Sequence, residues 1–482
     1  MHAQVTRPLA RRIHDAIAVE GRDRSEKGAR RIAGPRRTVR TPQVRQKPYD
    51  LCSKGIGSSK RSRHEFSGLV VLAGIAALVL TLALPAGAQA PAGSDGATTI
   101  VVSGGTRSLF KIAVAPPVGD PAVASTVVDT MTRDFTLSSL FQVLDPRSFT
   151  ANLVQEGMSI DPSSWRNVGA EGVIKGGAAM RGSNVHIELR LFVVSRGPDA
   201  VLKREYDVSP NDVRSAIHQF ANEVVKYFTG TSASFGSRLV FSATTGPGQK
   251  GIFTIDSDGH GLARLPTTSN VALAPAVGPG GIYYAGGLPN GGYDLFKVGN
   301  PVAVLNHAGL IFGAAFGGGK MAVVIAQAGQ SDIWVGSPDG TNLSKITHGG
   351  LNTHPAFGPG GQLAYVSNQG GNPQIYVDGK RTSFRGTYNM APAWCNDPEG
   401  VKILFMGREG GTWDIFSTDP SGSNIRRLTQ DQGSNTYPAC SPDGRSVAFF
   451  STRGGLYISN MQGQNQQKIA NVTGESLRWE GN

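Results

Sequence analysis

The sequence predicts an α+β multidomain chain: a small α/β N-terminal domain followed by a six-bladed β-propeller closed by the C-terminal strand. Three observations predict it. Near-identical phrases recur in the second half, "HPAFGPGGQLAYVSN" from His354 and "YPACSPDGRSVAFFS" from Tyr437 among them, at the roughly 40-residue interval of propeller blades. The two ends of the repeat region are incomplete and complementary. The stretch before the repeats alternates strand and helix patterns instead of turns and short strands.

In chain order, residues 1–59 are Arg-rich and show no hydrophobic period, so they read as a basic, disordered or mis-started leader, with the true start expected downstream of Met1. Residues 60–90 follow the grammar of a secretory signal peptide. A charged stretch, "SSKRSRHEF", leads into "SGLVVLAGIAALVLTLALPAGAQA", whose apolar run is shorter than the ~20 residues of a spanning helix. Ala88 and Ala90 mark the expected cleavage, and no Cys lies there to carry a lipid. Residues 91–102 read as a flexible mature N-terminus.

Charge follows this division. Of 47 Lys/Arg and 35 Asp/Glu, residues 1–90 hold 17 and 6, leaving 30 and 29 for the rest. The net charge of +12 therefore sits in the leader, and composition gives no support to nucleic-acid binding by the folded part.

The α/β domain is expected over 103–230. "LFKIAVAPP" and "FQVLD" read as strands flanking a helix in "PAVASTVVDTMTRDFTLSS". "DPSSWRNVGA" begins a second helix, with Asp161 as N-cap and Pro162 at the first helical position. "EGVIKGGAAM", "NVHIELRLFVVS" and "VLKREYDV" form three antiparallel strands. A last helix is expected to be capped by Ser209, to carry the apolar stripe Val213, Ile217, Phe220, Val224 and Phe228, and to end at Gly230. Residues 231–236 are the linker.

The propeller spans 237–482. Five copies of the opening phrase start at Ala274, Gly313, His354, Ala391 and Tyr437. Each predicts four antiparallel strands: a short first strand, a Pro/Asp/Gly turn, a strongly apolar strand such as Ile403–Met406, a third strand such as "WDIFSTD", and a last one after turns such as "DPSGSN". The unit at Gly313 lacks the Pro and Asp of the turn. The segment from Ser237 supplies strands two to four of a sixth unit, and "SLRWEGN" supplies its first strand at Leu477–Trp479, which removes the open edge. Cys395 and Cys440 fall inside repeat strands and are expected to be small buried hydrophobes, two thiols being too few for a disulfide framework.

Chemical motifs are absent or explained by turns. No G-x-S-x-G elbow or hydrolase-sized domain accompanies the propeller. "FGGGKM" places Met321 where a phosphate loop needs Ser or Thr, and "DSDGHG" from Asp256 has Thr267 at the position where a calcium loop needs an acid; both fall where blades turn. The histidines form no zinc pattern, and Trp394 and Trp479 occupy equivalent positions of two first strands, as core residues would. No catalytic residue, cofactor or metal site is predicted.

With the signal peptide, the domain opening "TTIVVSGGTRSLFKIAVAPP" and the six-fold run of "PAxxPDG"-type blades, the chain from about 98 to 482 resembles the TolB family, the periplasmic propeller component of the Tol–Pal system. The resemblance implies a non-enzymatic adaptor, peripheral to membranes, that holds the peptidoglycan-associated lipoprotein Pal and reaches the inner-membrane protein TolA through its N-terminal region. It also implies a role in outer-membrane integrity and invagination at division. It places the Pal surface at the propeller mouth, on loops that here hold Leu310, Gly313, Asn352, Thr353, His354, Asn389, Ala391, Thr436 and Tyr437, with Thr353 the leading position and His354 a partner contact. It also makes the segment from Pro91 to about Val102 a switch between partners. The alternative is a periplasmic propeller that binds or processes a small molecule or peptide, which should carry polar groups converging on the channel.

Overall fold

The computed structural model describes residues 108–305 and 307–481. The leader, the signal segment with Ala88 and Ala90, and the partner-switch segment lie outside the described residues.

The α/β domain is a mixed sheet with helices packed on it. Strands β1 (Phe110–Val114), β2 (Val118–Gly119) and β3 (Phe141–Val143) are joined through helix α1 (Pro121–Ser138). The short helices α2 (Leu153–Glu156) and α3 (Pro162–Asn167) then lead into β4 (Gly172–Arg181), β5 (Asn184–Val193) and β6 (Ala200–Val208), and α4 (Val213–Thr229) closes the domain. The sheet order is β3-β1-β4-β5-β6, with β2 on the far part of β4. β1 runs parallel to β3 and β4, and β4–β5–β6 form an antiparallel meander.

Local chemistry sets the ends. Asp120 caps α1 by accepting from Ala122 and Val123, and Asp161 caps α3 by accepting from Ser163 and Ser164. The start of α4 differs from the expectation. Pro210–Asp212 form a 3₁₀ turn, and the Ser209 hydroxyl donates to the Asp212 carboxylate (2.7 Å) instead of accepting from the helix backbone. The far end is as the Gly predicts: Gly230 is left-handed (φ 79°) and its N–H returns to the Lys226 carbonyl. All five stripe residues of α4 are buried against Val127, Met131 and Phe135 of α1 and the face of the sheet. Each such side chain contributes about 1.5–3 kcal/mol of burial.

Six antiparallel sheets make the propeller. Blade 1 has strands Ala272–Gly278, Gly281–Gly287 and Tyr293–Lys297; the fourth strand expected there is reduced to a single bridge, Phe296 to Ala303. Blades 2 to 5 have four strands each, with first strands Leu310–Gly317, Asn352–Phe357, Asn389–Asp397 and Asn435–Cys440. Blade 6 joins the two chain ends: Glu475–Glu480 pairs with Arg238–Gly246, Arg478 facing Val240 and Trp479 facing Leu239. Leu477 is fully buried, so the closing strand is part of the core.

Neighbouring blades interlock through a repeated contact. Gly278, Gly317 and Gly358 each lie against an aromatic ring of the next blade, Phe316, Phe357 and Trp394, and a Cβ at these glycines would stand 2.6, 3.0 and 2.8 Å from the ring. Between blades 4 and 5 the same two positions are Cys395 and Cys440, and they form a disulfide with a Cα–Cα distance of 5.3 Å. This corrects the reading of two inert thiols. Their separation of 45 residues concealed that adjacent first strands bring them together.

Candidate functional site: the propeller mouth and channel

Each first strand carries one irregularity at the same place. The pairing register with the second strand shifts at Leu273/Ala276, Ile311/Gly313, Thr353/Ala356, Met390/Ala393, Thr436/Ala439 and Glu475/Arg478. One residue in each bulge has positive φ: Ala274, Gly313, His354, Ala391, Tyr437 and Ser476. Only Gly313 adopts this freely; at the others the bulge costs about 1–3 kcal/mol of backbone strain, held by the surrounding sheet. The motif that heads each repeat is therefore a ring of bulges around the axis.

The predicted mouth residues divide into two groups. Asn352 and Asn389 are buried and link blades. The Asn352 amide donates to the Ser331 and Gly349 carbonyls and to Asp332 Oδ1 (3.1 Å), and the Asn389 amide donates to Gln374 Oε1 (2.6 Å) and the Arg385 carbonyl. A hydroxyl completes each set: Thr347 donates to Asp332 and Ser383 donates to Gln374. Ala391 and Tyr437 are also buried, and Gly313 is a bulge position. These five shape the mouth from below its surface. Leu310, Thr353, His354 and Thr436 are half-buried, with His354 Nδ1 2.9 Å from Thr353 Oγ1. Burial and then the Arg478 charge push the His354 imidazole down to about 4, so it is neutral at ordinary pH. Tyr388, exposed in the loop that enters the first strand at Asn389, lies beside the same rim; the sequence reading stopped one residue short of it, at Asn389.

The opposite face is occupied. In a four-stranded antiparallel blade, the turns joining strands one to two and three to four lie away from the mouth, and the α/β domain touches those turns. Arg133 donates to the carbonyls of Asp258 and Lys468, Asn465 donates to the Thr136 carbonyl (2.7 Å), and Arg445 bonds the Thr229 and Thr231 hydroxyls and the Ser232 carbonyl.

At the centre of this contact is a buried charge cluster. Asp134 of α1 meets His218 of α4 (2.7 Å), while Arg214 pairs with Asp258 from a blade-6 turn; His218 Nε2 lies 3.6 Å from the same Asp258 oxygen. Burial pushes the Asp134 carboxyl up to about 6. Burial depresses His218, but the Asp134 hydrogen bond and charge outweigh it and raise its pKa; at Asp258 burial pushes the carboxyl up, but the Arg214 hydrogen bond and charge outweigh it and lower the pKa. Asp134, His218 and Asp258 present ligand-type atoms within 4.8 Å of one another. Arg214 already supplies the cation that a metal would bring, so the group acts as an ion-pair clasp between domains. The "DSDGHG" turn thus works through Asp258 at a domain contact, a role visible only once α4 is placed.

These features define a class: a propeller closed by its own terminal strand, with one face covered by an α/β domain and, among the described residues, nothing packed on the other. Comparison with known proteins narrows it. Residues 98–200 match the TolB amino-terminal domain and residues 225–397 match the TolB beta propeller domain. A "Protein TolB homolog" of Chlorobium luteolum is 27% identical over 362 residues, covering 71% of this chain and 81% of that protein. A "Tol-Pal system protein TolB" of an Anaeromyxobacter species is 32% identical, covering 56% of this chain and 64% of that protein. The crystal structure of TolB from Acinetobacter baumannii superposes with a TM-score of 0.62 at 21% identity, covering 77% of this chain and 96% of that one. The chain belongs to the TolB family. Among the described residues, no helix is long and apolar enough to cross a membrane.

Proposed function

We propose that this chain is a non-enzymatic periplasmic adaptor of the Tol–Pal system, holding a Pal-like peptidoglycan-associated lipoprotein at the propeller mouth and reaching a TolA-like inner-membrane protein through its N-terminal region. Relatives named as Tol-Pal system proteins support the system. The observation that supports the mouth assignment is the placement of the α/β domain on the turn face, which among the described residues leaves the bulge ring and its entry loops uncovered. Half-buried Thr353 and Thr436, with the exposed Tyr388 ring, present a rim of hydroxyls and one aromatic anchor.

The test is capture of purified Pal by residues 91–482. The parent is expected to bind, and Thr353→Arg is expected to weaken binding at least tenfold while its thermal unfolding stays unchanged. Wild-type affinity in Thr353→Arg would remove the mouth from the interface. No capture by the parent would remove Pal as partner.

A further inference from the structure

Two residues beyond each bulge, the first strands carry Ala276, Ala315, Ala356, Ala393, Ala439 and, in blade 6 alone, Arg478. All six strands line one axial cavity of about 270 Å³, walled by these alanines with Pro355, Pro392 and Leu477 and flanked by Trp394 and Trp479. The Arg478 guanidinium is the one charge in that lining.

Its pairing is incomplete. Nη1 donates to the Leu477 carbonyl (3.0 Å), and among the described residues no carboxylate comes within ion-pairing distance. A guanidinium has five N–H donors, so most of its capacity is not taken up by protein partners and faces the chamber. Burial pushes its pKa down only to about 10, which leaves it charged at neutral pH, while neighbouring His354 is held neutral. The two indole N–H groups are already satisfied, by the Ala356 carbonyl (2.9 Å) and the Ser237 hydroxyl (2.8 Å). A fixed cation with free donors, facing a chamber several waters in volume, is the chemistry of an anion site.

We propose that the propeller channel binds a small monovalent anion, a halide or a small carboxylate, on the Arg478 guanidinium. The site lies beneath the mouth and does not depend on which protein binds there.

The experiment uses the mature protein in halide-free sulfate buffer with bromide as probe, and acetate as competitor in a second arm. Crystals grown with bromide are expected to show an anomalous peak within hydrogen-bonding reach of the guanidinium. Millimolar bromide is expected to raise the melting temperature of the parent, with at least a tenfold higher half-saturating concentration in Arg478→Ala, which completes the alanine ring. Displacement by acetate assigns the site to anions generally, and persistence of the bromide peak in acetate assigns it to halides. No peak at Arg478, a peak without millimolar stabilisation, or an identical bromide response in Arg478→Ala would each overturn the proposal. If Arg478→Ala does not fold, the parent's anomalous map and titration decide alone.

Discussion

Cys395 and Cys440 form a covalent bond at the two positions where the neighbouring blade interfaces place a glycine and an aromatic ring. One geometry, a close approach of first strands, is met by two chemistries. Removing the bond with Cys395→Ala and Cys440→Ala should cost about 2–4 kcal/mol of stability, since the bridge closes a long loop in the unfolded chain. Cys395→Gly with Cys440→Phe, copying the neighbouring interfaces, should recover part of that loss. Denaturant titration of the three proteins checks this, and equal stability of parent and double-Ala variant would contradict it.

The interdomain clasp predicts a pH dependence with a definite sign. In the folded state Asp134 titrates near 6, above the ~3.9 of an unfolded Asp, and His218 titrates above its unfolded ~6.5. The folded pair therefore keeps protons that the unfolded chain releases across this range. Its contribution to stability is present at the acid end and is lost as pH rises through the folded pKa values. Asp258, which is lowered, has the opposite sign, but its contribution disappears only below about pH 4. The neighbouring Asp256 carboxyl is raised by burial and so adds to the same trend. Between pH 5 and 8 the parent should lose stability relative to Asp134→Asn, whose profile should be flatter. Parallel melting curves for the two proteins across that range would refute this assignment.

Closure by the tail predicts that deleting Leu477–Asn482 abolishes the single cooperative unfolding transition, because blade 6 loses its first strand and exposes an edge. The milder Leu477→Ala change, at a fully buried site, should cost about 2–5 kcal/mol. Calorimetry distinguishes the two, and a truncated form melting like the parent would contradict the closed ring.

At the rim, Tyr388→Ala should weaken Pal capture about tenfold, as loss of an aromatic anchor does, without lowering stability. Arg147→Ala, in a strongly exposed pair on the α/β domain, is the control and should change neither. Calorimetric titration with Pal reads both variants.

Much of this was legible in the chain because propellers are built from local signals. Asp161 and Gly230 mark helix ends through their own side chain or φ, and the "PAxxPDG" phrases recur because each blade needs the same bulge and turn. The candidate site was legible only as a stretch of loops, without a ranking of its residues. Burial separated Asn352 and Asn389, which tie blades together, from Thr353 and Thr436, which are half-buried, though all four sit one or two residues before the repeated phrase. Sequence order cannot rank them, because alternate strand residues face different surroundings and the bulge interrupts the alternation.

From the sequence alone came the two-domain order, the blade period and the complementary ends, since these depend on hydrophobic period and turn chemistry within a few residues. Only the tertiary structure joined Cys395 to Cys440, brought Asp258 to Arg214 and His218, and set Arg478 in a ring of alanines. The reason is physical: each of these depends on distances between segments far apart in the chain, and closing the ring sets all of them at once.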